Sequence, residues 1–210
     1  MRNIRVAIWG FGAMGGGIAK VLLEKTGVEI TGVCDLHPQR VGKSIYALLG
    51  AERGDRPDVL VTDDIDAALP ERGADVCIVA TDSFTRDVYP KLLRVLQRGV
   101  NVISTAEEMS YPAAKEPLLA KEIDRVAREN GVTALGTGIN PGLMMDLLAI
   151  CLTGCMTNVD KVTCKRVNSL SPFGPLVMQE QGIGLTLRAF EEGVRNEEIA
   201  GHVEIGRAHV

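Results

Sequence analysis

The stretch GFGAMG, Gly10 to Gly15, constrains this chain more than any other, because it joins two segments of different period. Before it, IRVAIWG (4–10) is a short β-rich apolar run; after it, MGGGIAKVLLEK has helical apolar spacing. A G-x-G-x-x-G between a strand and a helix makes a tight turn that a pyrophosphate can approach. The helix start then presents N–H groups and the positive end of its dipole. Gly10 permits the turn, Gly12 the close approach and Gly15 the helix–strand packing, with Phe11, Ala13 and Met14 completing the candidate cofactor loop. A second feature agrees. Asp35 ends the next apolar strand, VEITGVCD (28–35), where a carboxylate can hold the adenine ribose hydroxyls.

The rest of the first two thirds repeats the alternation. PQRVGKSIYALLG reads as a helix from Pro38 to Gly50, VLVT as a short strand and IDAALPERG as a short helix. ADVCIVAT (74–81) is a buried strand, followed by the helix SFTRDVYPKLLRVLQRG; VNVIST is a strand, AAKEPLLAKEIDRVARENG a helix and VTALGTG a last strand. Strands alternating with helices predict a parallel sheet covered on both faces, hence an α/β, doubly wound, Rossmann-type fold over residues 1–139. Such sheets bind ligands beyond the carboxyl ends of their strands. Thr81, Asp82 and Ser83 are therefore expected at the nicotinamide half of the cofactor, with helix capping by Asp82 or Ser83 as the plainer alternative, and Ser104, at the end of the next strand, is a further cofactor-binding candidate.

Two adjacent carboxylates, Glu107 and Glu108, leave the strand after that in STAEEMSYP. Acidic groups favour helix starts for ordinary reasons, by roughly 0.3–1 kcal/mol. Their place at the ligand edge makes them catalytic candidates as well. GTGINPG (136–142) leaves the next strand, with Asn140 beside glycines that leave room for a ligand.

Beyond Gly138 the pattern changes. NPGLMMDLLAICLTGCM predicts a helix with Pro141 in its first turn, and VDKVTCKRVNS alternates like a half-solvated strand. Residues 140–203 are expected to be the start of an α+β substrate and dimerisation domain, too small to bury a core alone. The chain is therefore expected to be truncated. Residues 204–210 close EIGRAHV, which matches a translated sequencing-library adapter and is expected to be a non-native tail.

Composition closes off other classes. A formal net charge of -4 and 4% aromatic residues give no case for nucleic acid or an anionic membrane surface. No apolar stretch reaches the roughly 18 residues needed to span a bilayer, and no secretory signal opens the chain, so a cytoplasmic location is expected. The five cysteines form no C-x-x-C pair, most lie in apolar segments, and no His accompanies them, so buried reduced thiols are expected and no metal is assigned. GKS at 42–44 lacks the glycine that a phosphate-binding P-loop needs five residues earlier, where His37 stands. Asp35 favours NAD, because a carboxylate repels a ribose phosphate. His37, Arg40 and Lys43 follow it closely, so NAD or NADP stays open.

Taken together, IWGFGAMG, GVCD, ATDSFT, NVISTAEEMSYP, GTGINPG and SPFG…MQEQGIGLT resemble the 2,4-diaminopentanoate dehydrogenase family, over nearly all of residues 3–203. That family has a dihydrodipicolinate-reductase-like N-terminal domain and is related to native amine dehydrogenases. The resemblance implies NAD(P)-dependent oxidative deamination of 2,4-diaminopentanoate to 2-amino-4-oxopentanoate, in ornithine fermentation. It implies a catalytic glutamate in AEE, with Glu107 favoured because it stands closer to the strand end. It also implies substrate anchors at Asn140, Ser171, Gln179 and Gln181, a small-molecule substrate and a homo-oligomer when full length. Dihydrodipicolinate reductase itself is set aside, since its His-His pair and K-x-D-x-P-S-G-T stretch are missing. An amine or amino-acid dehydrogenase of other specificity, or a non-catalytic NAD-binding regulator, are the alternatives.

Overall fold

The computed structural model describes residues 2–165, 167, 169, 178–179, 181–196 and 198–199. The chain divides into two compact units, Met1–Gly138 and Ile139–Val210.

Six parallel strands form the sheet of the first unit: β1 Ile4–Trp9, β2 Val28–Cys34, β3 Val61–Thr62, β4 Val76–Val79, β5 Asn101–Ser104 and β6 Ala134–Gly136. Their spatial order is β3-β2-β1-β4-β5-β6, so the order reverses between β1 and β4. Helices α1 Ala13–Leu23 and α2 Ile45–Leu49 cover one face, and α3 Ile65–Ala68, α4 Thr85–Leu96 and α5 Pro117–Glu129 the other. The strand alternation decides which residue goes where. Val6 and Ile8 face α1 and α2 with Ile30, Val33 and Ile78, whereas Ala7, Cys77, Val79 and Val102 face Val88, Leu92, Val95 and Ile123. This is the doubly wound Rossmann-type architecture that the alternation predicts.

Polar side chains stitch the amino-terminal edge of this sheet. Asp75, just before β4, accepts from the backbone N–H of Arg5 at 2.8 Å and pairs with the guanidinium groups of Arg2 at 2.9 Å and Arg5 at 3.1 Å. The Asn101 amide donates to the Asp75 carbonyl at 2.8 Å, and its oxygen accepts from Thr133 N–H at 3.0 Å. The start of β1 is thereby tied to β4, β5 and the residue before β6.

Local expectations change in both units. The helix expected from Pro38 shrinks to Ile45–Leu49, because Gly42 takes φ +77° and Ser44 caps the helix by accepting from Tyr46 N–H. The 107–110 segment is a single 3-10 turn, followed by another at Pro112–Ala114, before α5 begins at Pro117.

In the second unit Asn140, Pro141 and Gly142 depart from helical dihedrals and the Asn140–Pro141 peptide is cis, so Pro141 precedes the helix and is not in its first turn. The helix runs on through α6 Leu148–Thr153, and Asp146 accepts from Gly142 N–H at 2.7 Å at its start. Helix α7 spans Leu187–Arg195. The alternating residues 159–165 form no strand. Alternation becomes a strand only with a neighbour for its backbone groups, and no strand lies after Gly136 among the described residues. Cys151, Cys155 and Cys164 are exposed there, contrary to the expectation of buried thiols; Cys34 and Cys77 are buried in the sheet. Among the described residues no helix is long and apolar enough to cross a membrane, and no cluster of His, Cys, Asp and Glu could hold a metal ion.

Candidate active site

Because all six strands are parallel, every turn at their carboxyl ends lies along one edge. The glycine turn follows β1, Asp35 follows β2, Thr81 to Phe84 follow β4, the carboxylate turn follows β5 and Thr137 follows β6. The hydrogen-bond ladder continues past the strands to hold these turns: Gly10 N–H donates to Cys34 O (2.8 Å), Ala80 to Trp9 (2.8 Å), Thr105 to Val79 (3.1 Å) and Thr137 to Ser104 (3.1 Å).

Steric contacts explain the glycines. Gly10 has φ +96°, and a Cβ there would stand 2.5 Å from the Ala80 carbonyl oxygen and 2.8 Å from Thr81 Cγ2. The turns after β1 and β4 thus touch at the point where strand order reverses. A Cβ on Gly15 would stand 1.8 Å from the Gly10 carbonyl oxygen, so Gly15 closes the helix start onto the turn itself. A Cβ on Gly12 meets no atom within 4 Å. Gly12 therefore opens toward free space, and no side chain caps the first turn of α1. An unobstructed backbone with uncapped N–H groups at a helix start fits a dinucleotide pyrophosphate. Of the other loop residues, Met14 is exposed, while the Phe11 ring is buried in the core under α1 and α2 and contributes to the loop only through its backbone.

Asp35 is 8% exposed at the end of β2. Its Oδ2 accepts from Phe11 N–H at 2.6 Å and its Oδ1 from His37 N–H at 2.8 Å, and Arg40 Nη1 lies 3.2 Å from both oxygens. Burial pushes its pKa up, but the two backbone N–H groups and the Arg40 guanidinium outweigh it, so the carboxyl titrates below its ordinary range. A carboxylate has about four acceptor positions, and four contacts occupy them. A ribose hydroxyl can bond to Asp35 only where Arg40 yields its place.

After β4, Asp82 is paired with the Lys91 ammonium, which also lies 3.1 Å from Thr81 Oγ1. Spacing gave no hint of Lys91, which reaches back from the second turn of α4. After β5, the buried Ser104 hydroxyl accepts from Ala106 N–H at 3.2 Å and so shapes the bend into the carboxylate turn.

The two glutamates differ sharply. The Glu108 side chain is 6% exposed. Its Oε2 accepts from Thr85 N–H at 2.8 Å, capping α4, whose own N-cap residue, Phe84, offers no side-chain acceptor. Its Oε1 is 2.9 Å from Lys115 Nζ, an ion pair whose approach is off the hydrogen-bond direction. Glu107 opens the 3-10 turn half-buried. Behind the turn, a Cβ on Gly136 would stand 2.0 Å from the Met109 carbonyl oxygen, so the turn rests directly on β6.

Of the expected substrate anchors, Asn140, Gln179 and Gln181 belong to the second unit, and Ser171 lies outside the described residues. Asn140 is extended, and its Oδ1 is buried without a hydrogen-bond partner. Gln179 is exposed and Gln181 half-buried.

Comparison with known proteins bears on both units. Residues 143–208 match the family model of the 2,4-diaminopentanoate dehydrogenase C-terminal domain. A 2,4-diaminopentanoate dehydrogenase of Acetoanaerobium sticklandii is 54% identical over 203 residues, covering 97% of this chain and 57% of that protein. An amine dehydrogenase of Streptomyces virginiae is 25% identical over 183 residues, covering 81% of this chain and 47% of that one. The solved amine dehydrogenase of Mycobacterium smegmatis superposes with a TM-score of 0.75 at 32% identity, over 91% of this chain and 56% of its own. The chain thus spans about half the length of these relatives. On its sequence and fold together, it is a relative of the 2,4-diaminopentanoate dehydrogenases, with amine dehydrogenases further out.

Proposed function

We propose that the protein is an NAD(P)-dependent amine dehydrogenase that converts 2,4-diaminopentanoate to 2-amino-4-oxopentanoate, a step of ornithine fermentation. One observation carries the reading: the open glycine turn and the Glu107 turn share the carboxyl edge of the sheet, in a chain 54% identical to a 2,4-diaminopentanoate dehydrogenase.

Gly10, Gly12, Gly15 and the N–H groups of Ala13 and Met14 would hold the cofactor pyrophosphate, with Asp35 and Arg40 at its adenosine half and Thr81, Asp82 and Ser104 toward its nicotinamide half. A bound nicotinamide would supply the hydride acceptor for the carbon that bears the amine. Glu107 acts on the substrate. It accepts a proton from the substrate ammonium and passes it to solvent, so that as a carboxylate it opposes the positive charge that grows as the C=N bond forms; it then draws a proton from the water that adds to that carbon and returns it to the departing amine. The overall change consumes water and oxidised cofactor and yields ketone, ammonium, reduced cofactor and a proton. Asn140, Ser171, Gln179 and Gln181 are assigned to hold the substrate's second amine and carboxylate.

The Asp35–Arg40 pair suits either cofactor, since Arg40 can turn from the carboxylate to a ribose phosphate. We place the reaction in the cytoplasm, with which the two buried free thiols agree, and expect a homo-oligomer. A second reading, an amine dehydrogenase of other specificity, is favoured by the names of the Streptomyces and Mycobacterium relatives.

Reduced-cofactor formation with 2,4-diaminopentanoate against simple amines separates the two. Glu107→Gln should lower kcat by roughly 10²–10⁴-fold. Near-full turnover in that variant would refute the assignment of Glu107, and cofactor binding without turnover on any amine would point to a regulatory protein.

A further inference from the structure

The turns after β4 and β5 are joined by more contacts than covering the sheet requires. Glu108 Oε2 accepts from Thr85 N–H, and Glu108 N–H donates to Ser83 O at 3.3 Å. The Lys115 ammonium pairs with Glu108 and lies 5.5 Å from the centre of the Phe84 ring, within cation–π range. Next to it, Arg86 and Glu116 are paired at 2.8 Å. Residues 83–86 are therefore fastened to residues 108–116 by one capping bond, one backbone bond, the Arg86–Glu116 ion pair and the Lys115–Phe84 contact, while the Lys115–Glu108 pair braces the second segment from within. Of these, the Glu108 carboxylate alone is buried and central, and it sits one residue from Glu107.

We propose that Glu108 and Lys115 form a positioning pair, which locks the turn after β4 to the turn after β5 and so sets where the Glu107 carboxylate stands. Glu108 itself carries no proton in the reaction. Both its oxygens face protein donors, and it lies 6% exposed, whereas a group that exchanges protons with substrate and water must meet them. Lys115 pairs with the buried carboxylate and helps to direct it at the α4 start, where the helix dipole also favours negative charge. This rests on the reading of Glu107 as the proton-transfer group.

The test compares Glu108→Gln, Glu108→Ala, Lys115→Met and Glu107→Gln. Three quantities are read: kcat and KM with 2,4-diaminopentanoate, the pH profile of kcat/KM, and the cofactor dissociation constant from Trp9 fluorescence. Glu108→Gln retains an acceptor for Thr85 N–H and should cost roughly 3–10-fold in kcat. Glu108→Ala should cost about 100-fold, the scale of a displacement near 1 Å of a reacting group. KM and the cofactor constant should move less than about threefold, and the pH profile should keep its limbs. Lys115→Met should fall between the two glutamate variants.

A pH limb lost in Glu108→Gln would make Glu108 the proton carrier and overturn the proposal. So would kcat within twofold of wild type in both Glu108→Gln and Lys115→Met, which keep the decision open to measurement should Glu108→Ala not fold. Retained turnover in Glu107→Gln, with the other three behaving as expected, would instead sink the catalytic reading of Glu107.

Discussion

Gly136→Ala isolates the placement of the carboxylate turn. Gly136 has no positive φ, so alanine brings no backbone strain, only a methyl carbon. That carbon would stand 2.0 Å from the Met109 carbonyl oxygen and 2.2 Å from its carbon, where contacts below 3.0 Å essentially never occur. The nearest atoms are the Met109 carbonyl and its Cβ, which stands at 2.7 Å, so no flexible side-chain end can swing away. The turn must lift by about 1 Å, the 3-10 turn of residues 107–110 moving as a unit. Overpacking of this kind costs about 1–3 kcal/mol of stability, and a 1 Å displacement of a catalytic group costs about 100-fold in rate. The glycine turn after β1 is unaffected, so the cofactor constant should stay within about threefold. Measuring kcat by reduced-cofactor absorbance below the melting range, with cofactor affinity from Trp9 fluorescence, separates the two effects. Wild-type kcat in a folded Gly136→Ala protein would refute the idea that this turn carries the chemistry.

Other perturbations test the rest of the edge. At Gly12 a Cβ meets no atom within 4 Å, so Gly12→Val should cost about 1 kcal/mol or less in thermal stability, yet weaken cofactor binding by roughly tenfold or more; unchanged affinity would place the pyrophosphate elsewhere. Arg40→Leu frees acceptor positions on Asp35 and removes a phosphate partner. Because Arg40 is about a third exposed, the shift in NAD over NADP preference should be about 1 kcal/mol, or roughly fivefold, and a fluorescence titration that shows no shift would refute it. Acid unfolding should track Asp35 and Asp75. The side-chain and backbone bonds from Arg5, helped by Arg2, hold the Asp75 carboxyl at about 2 against an ordinary 3.8, and Asp35 is also lowered. A depressed carboxyl stabilises the fold fully above its unfolded pKa and loses that contribution as pH falls through its folded value. Stability should therefore drop between about pH 4 and pH 2, and Asp75→Asn should flatten that drop in circular-dichroism titrations; an unchanged slope would exclude Asp75 as a source.

Much of the first unit could be read from the chain because local signals and tertiary structure agree there. The glycine turn, the apolar strands and the period change at each helix all follow from spacing, and Asp35 falls where the fingerprint puts it. What spacing could not convey is who meets whom. Nothing in AEEMS says that one carboxylate turns inward to cap a helix that begins 23 residues earlier, nor that Lys115 follows it. Lys91 and Arg40 look like solvated helix charges until the fold brings them against Asp82 and Asp35. The alternation in residues 159–165 misled for the opposite reason: a strand is a property of a pair, and one segment's pattern carries no information about its partner.

The chain of polar bonds from Arg2 and Arg5 through Asp75 and Asn101 to Thr133 has a consequence for how this protein can be altered. The strands are aligned at the end remote from the glycine and glutamate turns, so register does not depend on the residues that would do chemistry. Loops at the working end can be exchanged, shortened or given new side chains while the opposite hem keeps the strands in step. A redesign for another amine would do well to leave those five residues untouched and spend its changes on the far rim.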